Sequence, residues 1–567
     1  MIWWVENPKR SATEREAIAS LSQESGWLTI VGVRLEGLQL AWDVDLQTSE
    51  RVYPLTIRYP DHFPHSPPVV LPRGVTELWS GHQYGPGGEL CLEFGPDNWH
   101  RDLTGADMLS SAYRLLTGQE AFEAGADDVA SRHRSSLGQT LRSQSNRFFV
   151  PFSAQALLAN LGVGASLPAR VIPVFRKKRT TLFLKSFGIE GGQWEGEPPE
   201  GLAEITFDLT GRIVRVAELE RLPKPGDSDQ FRAEWLQLGQ DLEGTQTLLV
   251  LQGAKYFAFD LFNRGQAKRS TVLLEEENKK RLGDEMDGLR EKSVSITGNG
   301  SLGSKIASIL ARHGIRNFVL VDDDVFLPEN LVRNDLDWRD VGQHKAEAVA
   351  DRIDLIRPGA QVKAFRRSLG GQEASSDVEA VISAVAATDL LIDATADPSS
   401  FNYLCAVQEF AKKPLLWGEV FGGGFGGLIA RSRPEIDPDA STIRNRILAW
   451  CVEHGRSLAP APGRYEGAGR IPEIAGDAEV SVIAGQLALM AIDTLIPRSP
   501  SAYPYAAYLI GFRAEWIFEA PFDTRPIDVG EPKQQTTTSS TDEERQAEVL
   551  KLLELLGIKN DEATSST

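Results

Sequence analysis

The chain has 567 residues, three cysteines and a formal net charge of −19. This length predicts several domains with substantial cores, and the acidic balance argues against nucleic acid as a partner, because phosphate backbones are bound by basic surfaces. No run of about 20 apolar residues is evident, so we expect no membrane span. Cys91, Cys405 and Cys451 are far apart and odd in number. We therefore expect no disulfide framework and no zinc site, and we expect a reducing, cytoplasmic compartment.

The N-terminal part of the chain has the pattern of an α+β domain. A helix is predicted over residues 11–24, and apolar–polar alternation then predicts antiparallel strands at residues 27–31, 38–46 and 52–59. Prolines at positions 60, 64, 67 and 68 predict an irregular, extended crossing. A Gly-rich hairpin at residues 85–88 leads to Cys91, and a second helix is predicted over residues 104–118.

Two motifs and a tryptophan in this region stand in a characteristic order: Tyr59-Pro60-x-x-Phe63-Pro64-x-x-Pro67-Pro68, Gly88-Glu89-Leu90-Cys91-Leu92 and Trp99. They resemble the ubiquitin-conjugating enzyme family. The resemblance implies that Cys91 is catalytic and carries an acyl group as a thioester, which stays reactive toward an amine. The family usually has His-Pro-Asn before the cysteine, whereas this chain has His82-Gln83-Tyr84. Tyr84 could donate to the oxyanion or His82 could take a different role, and both alternatives stay open.

The region that follows, residues 149–285, contains further alternating segments at 169–175, 180–184, 203–209 and 246–251. They predict a mixed α/β or mostly β domain. We find no catalytic constellation in it, so we interpret the region as a linker or docking domain. The basic run at residues 176–179 is more typical of a solvated turn than of a binding patch.

The strongest functional signal lies in residues 293–345. A short apolar run leads into a turn with Gly298, Gly300 and Gly303, then an amphipathic segment, then a second apolar run that ends at Asp322. Turn glycines let the backbone approach a phosphate, and a helix N-terminus offers free N–H groups and a positive dipole end. An acid at the end of the second strand is placed to bind a ribose hydroxyl. This order predicts a nucleotide site.

Side chains beyond the acid indicate which nucleotide. Asn330, Arg333 and Lys345 suit a triphosphate whose α-phosphate is attacked, whereas a dehydrogenase needs a nicotinamide pocket. Four motifs resemble the ThiF/MoeB and ubiquitin-activating enzyme superfamily: Gly298-x-Gly300-x-x-Gly303-Ser304, Val321-Asp322-x-Asp324, Asn330-Leu331-x-Arg333 and Val341-Gly342-Gln343-x-Lys345. The resemblance implies that these motifs hold ATP. Asp322 would bind the ribose, Arg333 and Lys345 the phosphates, and Asn330 would belong to the same site.

The same resemblance implies a magnesium site. The family places a magnesium-binding Asp after a later strand, in a D-x-T-D-N pattern, and this chain has Asp393-Ala394-Thr395-Ala396-Asp397. Ala396 stands where the second Asp of the family belongs. The metal ligand could therefore be Asp397 or Asp393, and the sequence leaves both open.

The family often presents a second acyl-accepting cysteine beyond its nucleotide sheet. Cys451, on a predicted helix, is the best candidate here, although a helix-core thiol fits its apolar neighbours at least as well. Cys405 is predicted to be a core residue. If neither serves, the adenylate would pass directly to Cys91.

The C-terminal part of the sequence predicts strands at residues 390–393, 415–420, 505–512 and 515–518, a crossing loop at 456–476 and a long helix at 477–496. The whole chain is thus predicted to be a multidomain α/β protein. We assign residues 1–148 to an α+β ubiquitin-conjugating-like domain, 149–285 to a mixed α/β linker domain, 286–530 to a Rossmann-like ThiF adenylation domain, and 531–567 to a flexible tail with one short helix at 544–556.

The two resemblances together imply an activating–conjugating enzyme that uses ATP and Mg²⁺ in bacterial antiviral defence, as in CBASS operons. Its partners would be protein targets and a ubiquitin-like protein or the C-terminus of a cGAS-like nucleotidyltransferase, and we expect a homodimer. One alternative is a sulfur-carrier adenylyltransferase whose N-terminal domain only docks. Another is a binding module that has lost catalysis.

Overall fold

The protein is described here by a computed structural model. It describes residues 2–80, 82–123, 138, 141, 145–177, 179–188, 193–196, 198–199, 201–202, 207–218, 220–262, 265–276, 283–370, 374–457, 475–532 and 542–556. The chain divides into two compact units, Met1–Ser143 and Gln144–Thr567.

The first unit packs helices against one small sheet. Its elements are α1 (Trp3–Glu6), α2 (Pro8–Ser25), β1 (Leu28–Glu36), β2 (Gln39–Gln47), β3 (Val52–Arg58), β4 (Val69–Pro72) and α3 (Gly105–Glu123). The strands form an antiparallel meander in the order β1-β2-β3-β4, which confirms the predicted helices and the first three strands. The irregular crossing predicted at the prolines of residues 60–68 is confirmed, since these residues form turns and bends, but the strand that follows it was missed. Val69, Val70 and Leu71 are strong strand formers between prolines, and they pair with β3 as β4.

A buried carboxyl group joins the helices of this unit to its sheet. Glu14 on α2 accepts hydrogen bonds from the Tyr59 hydroxyl and the Gly105 N–H, each at 2.7 Å, and is ion-paired with Arg10 at 2.8 Å. Burial raises the pKa of Glu14. Since a buried carboxyl group is tolerated only when hydrogen-bonded, these contacts hold α2, the end of β3 and the start of α3 in one arrangement.

The N-terminal part of the second unit is a closed sheet. Its strands are β5 (Asn146–Val150), β6 (Ser166–Arg176), β7 (Arg179–Phe187), β8 (Trp194–Glu195), β9 (Leu209–Val216), β10 (Thr247–Gln252), β11 (Lys255–Asp260) and β12 (Lys268–Leu274), with helices α4 (Phe152–Ala159) and α5 (Ser228–Gln237). The order is β5-β12-β11-β10-β9-β6-β7-β8, and β5 also pairs with β7, which closes the sheet on itself. The prediction of a mixed or mostly β region is confirmed; its segment at residues 203–206 lies outside the described residues.

The C-terminal part is a doubly wound sheet. Its strands are β13 (Ser293–Thr297), β14 (Asn317–Val321), β15 (Gln361–Phe365), β16 (Leu390–Asp393), β17 (Leu415–Val420), β18 (Gly426–Ser432), β19 (Ala507–Gly511) and β20 (Thr524–Ile527). The order is β15-β14-β13-β16-β17-β18-β19-β20, parallel from β15 to β17 and antiparallel beyond. Strand order reverses between β13 and β16, and in such sheets the crevice at this switch point holds the ligand.

Helices cover both faces of this sheet: α6 (Ser301–His313), α7 (Lys345–Ile356), α8 (Ser375–Ala386), α9 (Pro398–Ala411), α10 (Ala440–Glu453) and α11 (Asp477–Leu495). The buried residues of α6, α7 and α11 share one core cluster, and those of α8, α9 and α10 share another. Of the described helices, α11 alone has the length and hydropathy of a membrane span. It packs against α6 and β17 inside the domain, which is the behaviour of a core helix.

Two details near the C-terminus differ from the prediction. Residues 515–518 form a turn with one isolated bridge, Glu515↔Phe518, and the last strand is β20 instead. The predicted tail helix is confirmed as α12 (Asp542–Leu555). Most of the predicted crossing loop, at residues 458–474, lies outside the described residues, as do 533–541 and 557–567 of the tail.

Candidate active sites

The three glycines of the turn after β13 differ in how closely other atoms surround them. Gly298 has φ +86°, and a Cβ there would lie 2.8 Å from the carbonyl carbon of Ala394. A Cβ at Gly303 would lie 1.9 Å from the carbonyl oxygen of Gly298, so the start of α6 needs a glycine to pack on the turn. A Cβ at Gly300 would have no atom of the described residues within 4 Å. The turn therefore leaves open space at Gly300, where a phosphate can approach the backbone.

The N-terminus of α6 faces the same space. Gly300 is its N-cap residue and provides no side-chain hydrogen bond to the first turn. The first N–H groups of a helix have no partner within the helix, and with the positive dipole end they bind anions. The turn and the helix thus fit a nucleotide phosphate.

Asp322 lies directly after β14 and is linked to the glycine turn. Its carboxylate accepts hydrogen bonds from the backbone N–H groups of Asn299, at 2.5 Å, and Asp324, at 2.9 Å. Burial raises the pKa of Asp322, although these hydrogen bonds oppose the effect. A carboxylate has about four acceptor positions, so Asp322 can hold the turn and also accept a ribose hydroxyl.

The predicted phosphate ligands occupy the loop between β14 and α7. Lys345, at the start of α7, is buried and ion-paired with Asp324. The Arg333 guanidinium donates to the Ala475 carbonyl at 3.4 Å. The Asn330 side chain accepts the Leu327 N–H at 3.0 Å and so shapes its own turn. Lys345 and Arg333 are therefore already in contact with protein groups, and a phosphate would have to compete for them.

One buried cation in this region was missed by the sequence reasoning. Lys305 on α6 is 9% exposed and pairs with Asp477, at the start of α11, at 2.7 Å. The sequence feature that could have indicated Lys305 is its position two residues after Gly303, in the first turns of α6. The pair links the helix that follows the glycine turn to the core helix α11.

The two candidate magnesium ligands line one pocket at the end of β16. Asp393 is buried and accepts hydrogen bonds from the Thr395 N–H, at 2.9 Å, and hydroxyl, at 2.6 Å; burial raises its pKa to about 6. Asp397 caps α9 by accepting the Ser400 N–H at 2.7 Å. Ala396, at φ +55°, separates them. Among the described residues no three metal-binding side chains cluster. Mg²⁺ usually takes one or two carboxylates with phosphates and water, and these two carboxylates fit that pattern.

The same pocket contains two charged residues that no motif included. Glu419 at the end of β17 and Arg444 on α10 line it together with Asp393. Burial raises the pKa of Glu419. These residues come together only when α10 packs over β16 and β17, so their sequence positions carry no signal of the site.

Cys451 and Cys405 lie near this pocket, in the core of the second unit. Cys451 on α10 is completely buried among apolar side chains, and burial raises its pKa to about 11. Cys405 on α9 is half-buried with its pKa likewise raised to about 11 by burial. Thiolates are the nucleophilic form of cysteine, so the surroundings of Cys451 favour a core thiol. Its assignment as a second thioester cysteine stays a prediction.

Cys91, by contrast, lies in a hairpin of the first unit and is half-buried. Gln83 and Leu90 form an antiparallel bridge, and both point into the core. The Cys91 N–H donates to the His82 carbonyl at 2.7 Å, and the Tyr84 N–H donates to the Glu89 carbonyl at 2.9 Å. Because side chains alternate along an extended pair, Cys91 lies on the face opposite to Leu90, away from the core.

The register of this hairpin separates the two alternatives for a partner of Cys91. His82 stands directly opposite Cys91, and directly opposed residues have Cβ atoms about 4.5–5.5 Å apart. Tyr84 is one pair further along on the same face and is 73% exposed. His82 is therefore better placed than Tyr84 to act on a group bound to the Cys91 sulfur.

Comparisons with known proteins bear on the C-terminal region. Residues 277–469 match the model of the ThiF family. The ATP-dependent ubiquitin transferase-like protein Cap2 of Pseudomonas aeruginosa is 31% identical over 121 residues, which are 21% of this chain and 20% of that protein. The sulfur carrier protein ThiS adenylyltransferase of Escherichia coli is 30% identical over 145 residues, which are 25% of this chain and 54% of that protein.

Among solved structures, E. coli MccB with ATP aligns with a TM-score of 0.34 and 17% identity, over 44% of this chain and 67% of that chain.

The chain spans about a fifth of the length of the Cap2 relative and about half of the ThiS adenylyltransferase. The C-terminal region of this mixed α/β protein therefore contains a ThiF domain, whose homologues include an adenylyltransferase and a ubiquitin transferase-like protein.

Proposed function

We propose that the C-terminal unit activates the C-terminal carboxylate of a carrier protein by adenylation with ATP and Mg²⁺. The observation that carries this proposal is the glycine turn, in which Gly298 and Gly303 are required by the packing of the chain itself while Gly300 leaves open space. The match of residues 277–469 to the ThiF family supports it. ATP supplies the adenylyl group that makes the carboxylate electrophilic, and pyrophosphate leaves.

The residues of the chain divide this work. The open turn at Gly300 and the first N–H groups of α6 bind phosphate oxygens. Asp322 orients the ribose, and Lys345 and Arg333 offset negative charge at the phosphates. Asp393 and Asp397 would hold Mg²⁺, which neutralises phosphate charge when bound.

The first unit then takes the acyl group on Cys91. The thiolate sulfur attacks the activated carbonyl carbon, a C–S bond forms, and AMP leaves. An amine of a protein target next attacks the thioester, so that a C–N bond forms and the C–S bond breaks. The proton of the amine passes to His82, the imidazole opposite Cys91. The half-buried hairpin position of Cys91 supports this role, and the core position of Cys451 favours direct transfer to Cys91.

The carrier in this proposal is a ubiquitin-like protein or the C-terminus of a cGAS-like nucleotidyltransferase, and the setting is bacterial antiviral defence. The name of the Pseudomonas relative, an ATP-dependent ubiquitin transferase-like protein, supports the class of reaction. A cytoplasmic homodimer completes the proposal.

A second candidate function is sulfur-carrier adenylation with an N-terminal unit that only docks a partner. The ThiS adenylyltransferase relative favours it, because the alignment covers more of that protein than of Cap2. In that case Cys91 takes no acyl group, and replacing it leaves the final step intact.

The test is to incubate the full chain with ATP, Mg²⁺ and each candidate carrier. Pyrophosphate exchange into ATP reports adenylation, and a reductant-sensitive adduct reports the thioester. The proposal predicts both in wild type and in Cys451→Ala, and exchange without the adduct in Cys91→Ala. Absence of exchange with every carrier contradicts adenylation. An adduct that survives in Cys91→Ala contradicts the thioester at Cys91.

A further inference from the structure

Two lysines lie in the interior of the C-terminal part of the chain, although lysine is rarely buried without a partner. Lys305 is 9% exposed and Lys345 is 8% exposed, and the other described lysines are all more exposed. The Lys305 ammonium group is ion-paired with Asp477, whose side chain is 53% exposed. Lys345 is ion-paired with Asp324, whose side chain is 64% exposed. The two lysines therefore share one electrostatic arrangement, and Lys345 is the one that is predicted to bind the phosphates.

The side chain of Lys305 extends toward the phosphate end of α6. Long side chains of a helix point back toward its N-terminus. Lys305 shares one face of α6 with Ser301, four residues earlier, and Ser301 is the first residue after Gly300. The partner of Lys305, Asp477, is the first residue of α11. An anion at the Lys305 ammonium group would therefore also be close to the N-terminal ends of two helices, whose dipoles favour negative charge.

The segment at the start of α11 also contacts the second predicted phosphate ligand. The Arg333 guanidinium donates to the Ala475 carbonyl oxygen at 3.4 Å, two residues before the partner of Lys305. The loop that contains Arg333 packs on the glycine turn, where the Asn334 side-chain amide donates to the Asn299 carbonyl oxygen at 3.4 Å. Lys305 and Arg333 therefore contact one short segment of chain beside the turn.

Asp477 is suited to exchange with a ligand anion. A buried ammonium group needs a negative partner, and Asp477 supplies it at 2.7 Å. Because the Asp477 side chain is half-exposed, its carboxylate can turn into solvent, whereas the Lys305 side chain stays in the interior. The other acid in the first turn of α11, Glu479, lies against Gly424 and Gly476. A phosphate that replaced the Asp477 carboxylate would keep the ammonium group paired.

The glycine turn sets the direction of the nucleotide. Asp322, where the ribose is predicted, accepts the Asn299 N–H at 2.5 Å and so lies at the strand end of the turn. Lys305 lies beyond Gly303, at the helix end of the turn. A nucleotide with its ribose at Asp322 and its phosphates in the open space at Gly300 would therefore extend its terminal phosphates toward Lys305.

We propose that Lys305 binds the terminal phosphates of ATP, and then the pyrophosphate that leaves, in exchange for Asp477. The inference rests on the proposed adenylation and adds to it a phosphate ligand that lies outside the family motifs. When a carboxylate oxygen attacks the α-phosphorus, a new P–O bond forms and the bond from the α-phosphorus to the bridging oxygen breaks. The electron pair of the broken bond stays on pyrophosphate, and a fixed ammonium group stabilises the charge that develops there.

Calorimetric titration of the full chain, with Mg²⁺ present, separates this role from that of a structural ion pair. The probes are ATP, AMP and inorganic pyrophosphate. Lys305→Gln should weaken the binding of ATP and pyrophosphate about tenfold, since it removes a charge-assisted contact. Asp477→Asn should tighten both roughly threefold, because the competing carboxylate is gone. AMP lacks the leaving phosphates, so its affinity should be unchanged in both variants.

The control is Lys363→Gln, which removes an exposed lysine of β15 and should bind all three probes as wild type does. Weaker ATP binding in both Lys305→Gln and Asp477→Asn would show that the pair only holds α6 to α11. Loss of AMP affinity by the same factor as ATP affinity would place Lys305 at the α-phosphate and overturn the assignment to the leaving group. If Lys305→Gln does not fold, unchanged or weaker binding of pyrophosphate by Asp477→Asn overturns the inference by itself.

The same titrations distinguish failure of this inference from failure of the proposed function. Wild type that binds ATP, with Lys305→Gln equal to it, removes only the role of Lys305. Wild type that binds neither ATP nor pyrophosphate contradicts both the adenylation and the phosphate ligand.

Discussion

The nucleotide site and the Cys91 site are built in different ways. Around Gly298, Gly300 and Gly303 the site is made by backbone, and two of the three glycines are fixed by contacts with the chain itself. Around Cys91 the site is made by side chains on one face of a hairpin, where the register places His82, Tyr84 and Glu89 on the same face as Cys91. A site made by backbone can be recognised from the spacing of its glycines in the sequence. A site made by side chains also depends on the register in which the two strands of the hairpin pair.

The largest expected effect is at Cys91. Loading can be tested without a carrier, by adding a peptide thioester of mercaptoethanesulfonate and following the reductant-sensitive mass increase. Cys91→Ala should lose loading completely, because no other thiol in the described residues is both accessible and outside a core. Cys405→Ala is the matched control and should load as wild type does. Loading that is lost in Cys405→Ala and kept in Cys91→Ala would reverse the assignment.

Two substitutions in the glycine turn should have different effects: Gly303→Ala should lower the stability of the protein, and Gly300→Ala should lower its affinity for ATP. Gly303→Ala puts a methyl group 1.9 Å from the Gly298 carbonyl oxygen, so denaturant unfolding should show a loss of about 3 kcal/mol or more. In the part of the chain that the structure describes, the methyl group of Gly300→Ala meets no atom within 4 Å, so the unfolding free energy of this variant should stay within about 0.5 kcal/mol of wild type. Its methyl group enters the open space, and calorimetric ATP affinity should fall about tenfold.

The opposite pattern would contradict this view of the turn. If Gly300→Ala bound ATP as tightly as wild type does, the open space would not be the phosphate site. A Gly303→Ala protein as stable as wild type would show that α6 can move away from the turn.

His82 should matter after loading and not before it. With Cys91 loaded from the peptide thioester, free lysine should discharge His82→Gln roughly 10²-fold more slowly than wild type, because a general base contributes about that factor. Loading itself should be unchanged. Tyr84→Phe is the paired variant and should discharge normally; slow discharge in Tyr84→Phe with normal discharge in His82→Gln would assign the role to Tyr84.

The smallest expected effect concerns the pH dependence of stability through Asp393. Its pKa is raised from 3.8 to about 6 by burial, so the folded state holds a proton that the unfolded state has lost. That stabilisation is present at low pH and disappears as pH rises through about 6. Asp393→Asn is neutral throughout. Between about pH 4 and 7, the unfolding free energy of Asp393→Asn relative to that of wild type should therefore increase by up to about 2–3 kcal/mol. A constant difference across this range would contradict the buried, protonated carboxyl.

The elements that the sequence predicted best have strong local patterns. The apolar run at residues 415–420 coincides with β17, and the 3.6-residue spacing at 477–496 coincides with α11 within one residue. In both elements, the apolar residues that face the core follow each other in a regular pattern within the element itself. The strand β20 was missed because Thr524, Arg525 and Pro526 have no apolar alternation, and pairing with β19 alone defines it.

What the sequence missed depends on residues far apart in the chain. The middle sheet closes because β5 pairs with β7, and the residue pattern of neither strand predicts this pairing. The pocket of Arg444 and Glu419 forms only when α10 covers the ends of β16 and β17. The ion pair of Lys305 with Asp477 likewise joins two helices that pack together but are far apart in the sequence.

The most direct test of the central claim is calorimetric titration of the full chain with ATP and Mg²⁺, and separately with NAD. An adenylating site that uses Gly300 and Asp322 predicts one ATP site per chain and no NAD binding. Binding of NAD without binding of ATP would show that the glycine turn holds a dinucleotide, and the proposed activation of a carboxylate would then be wrong.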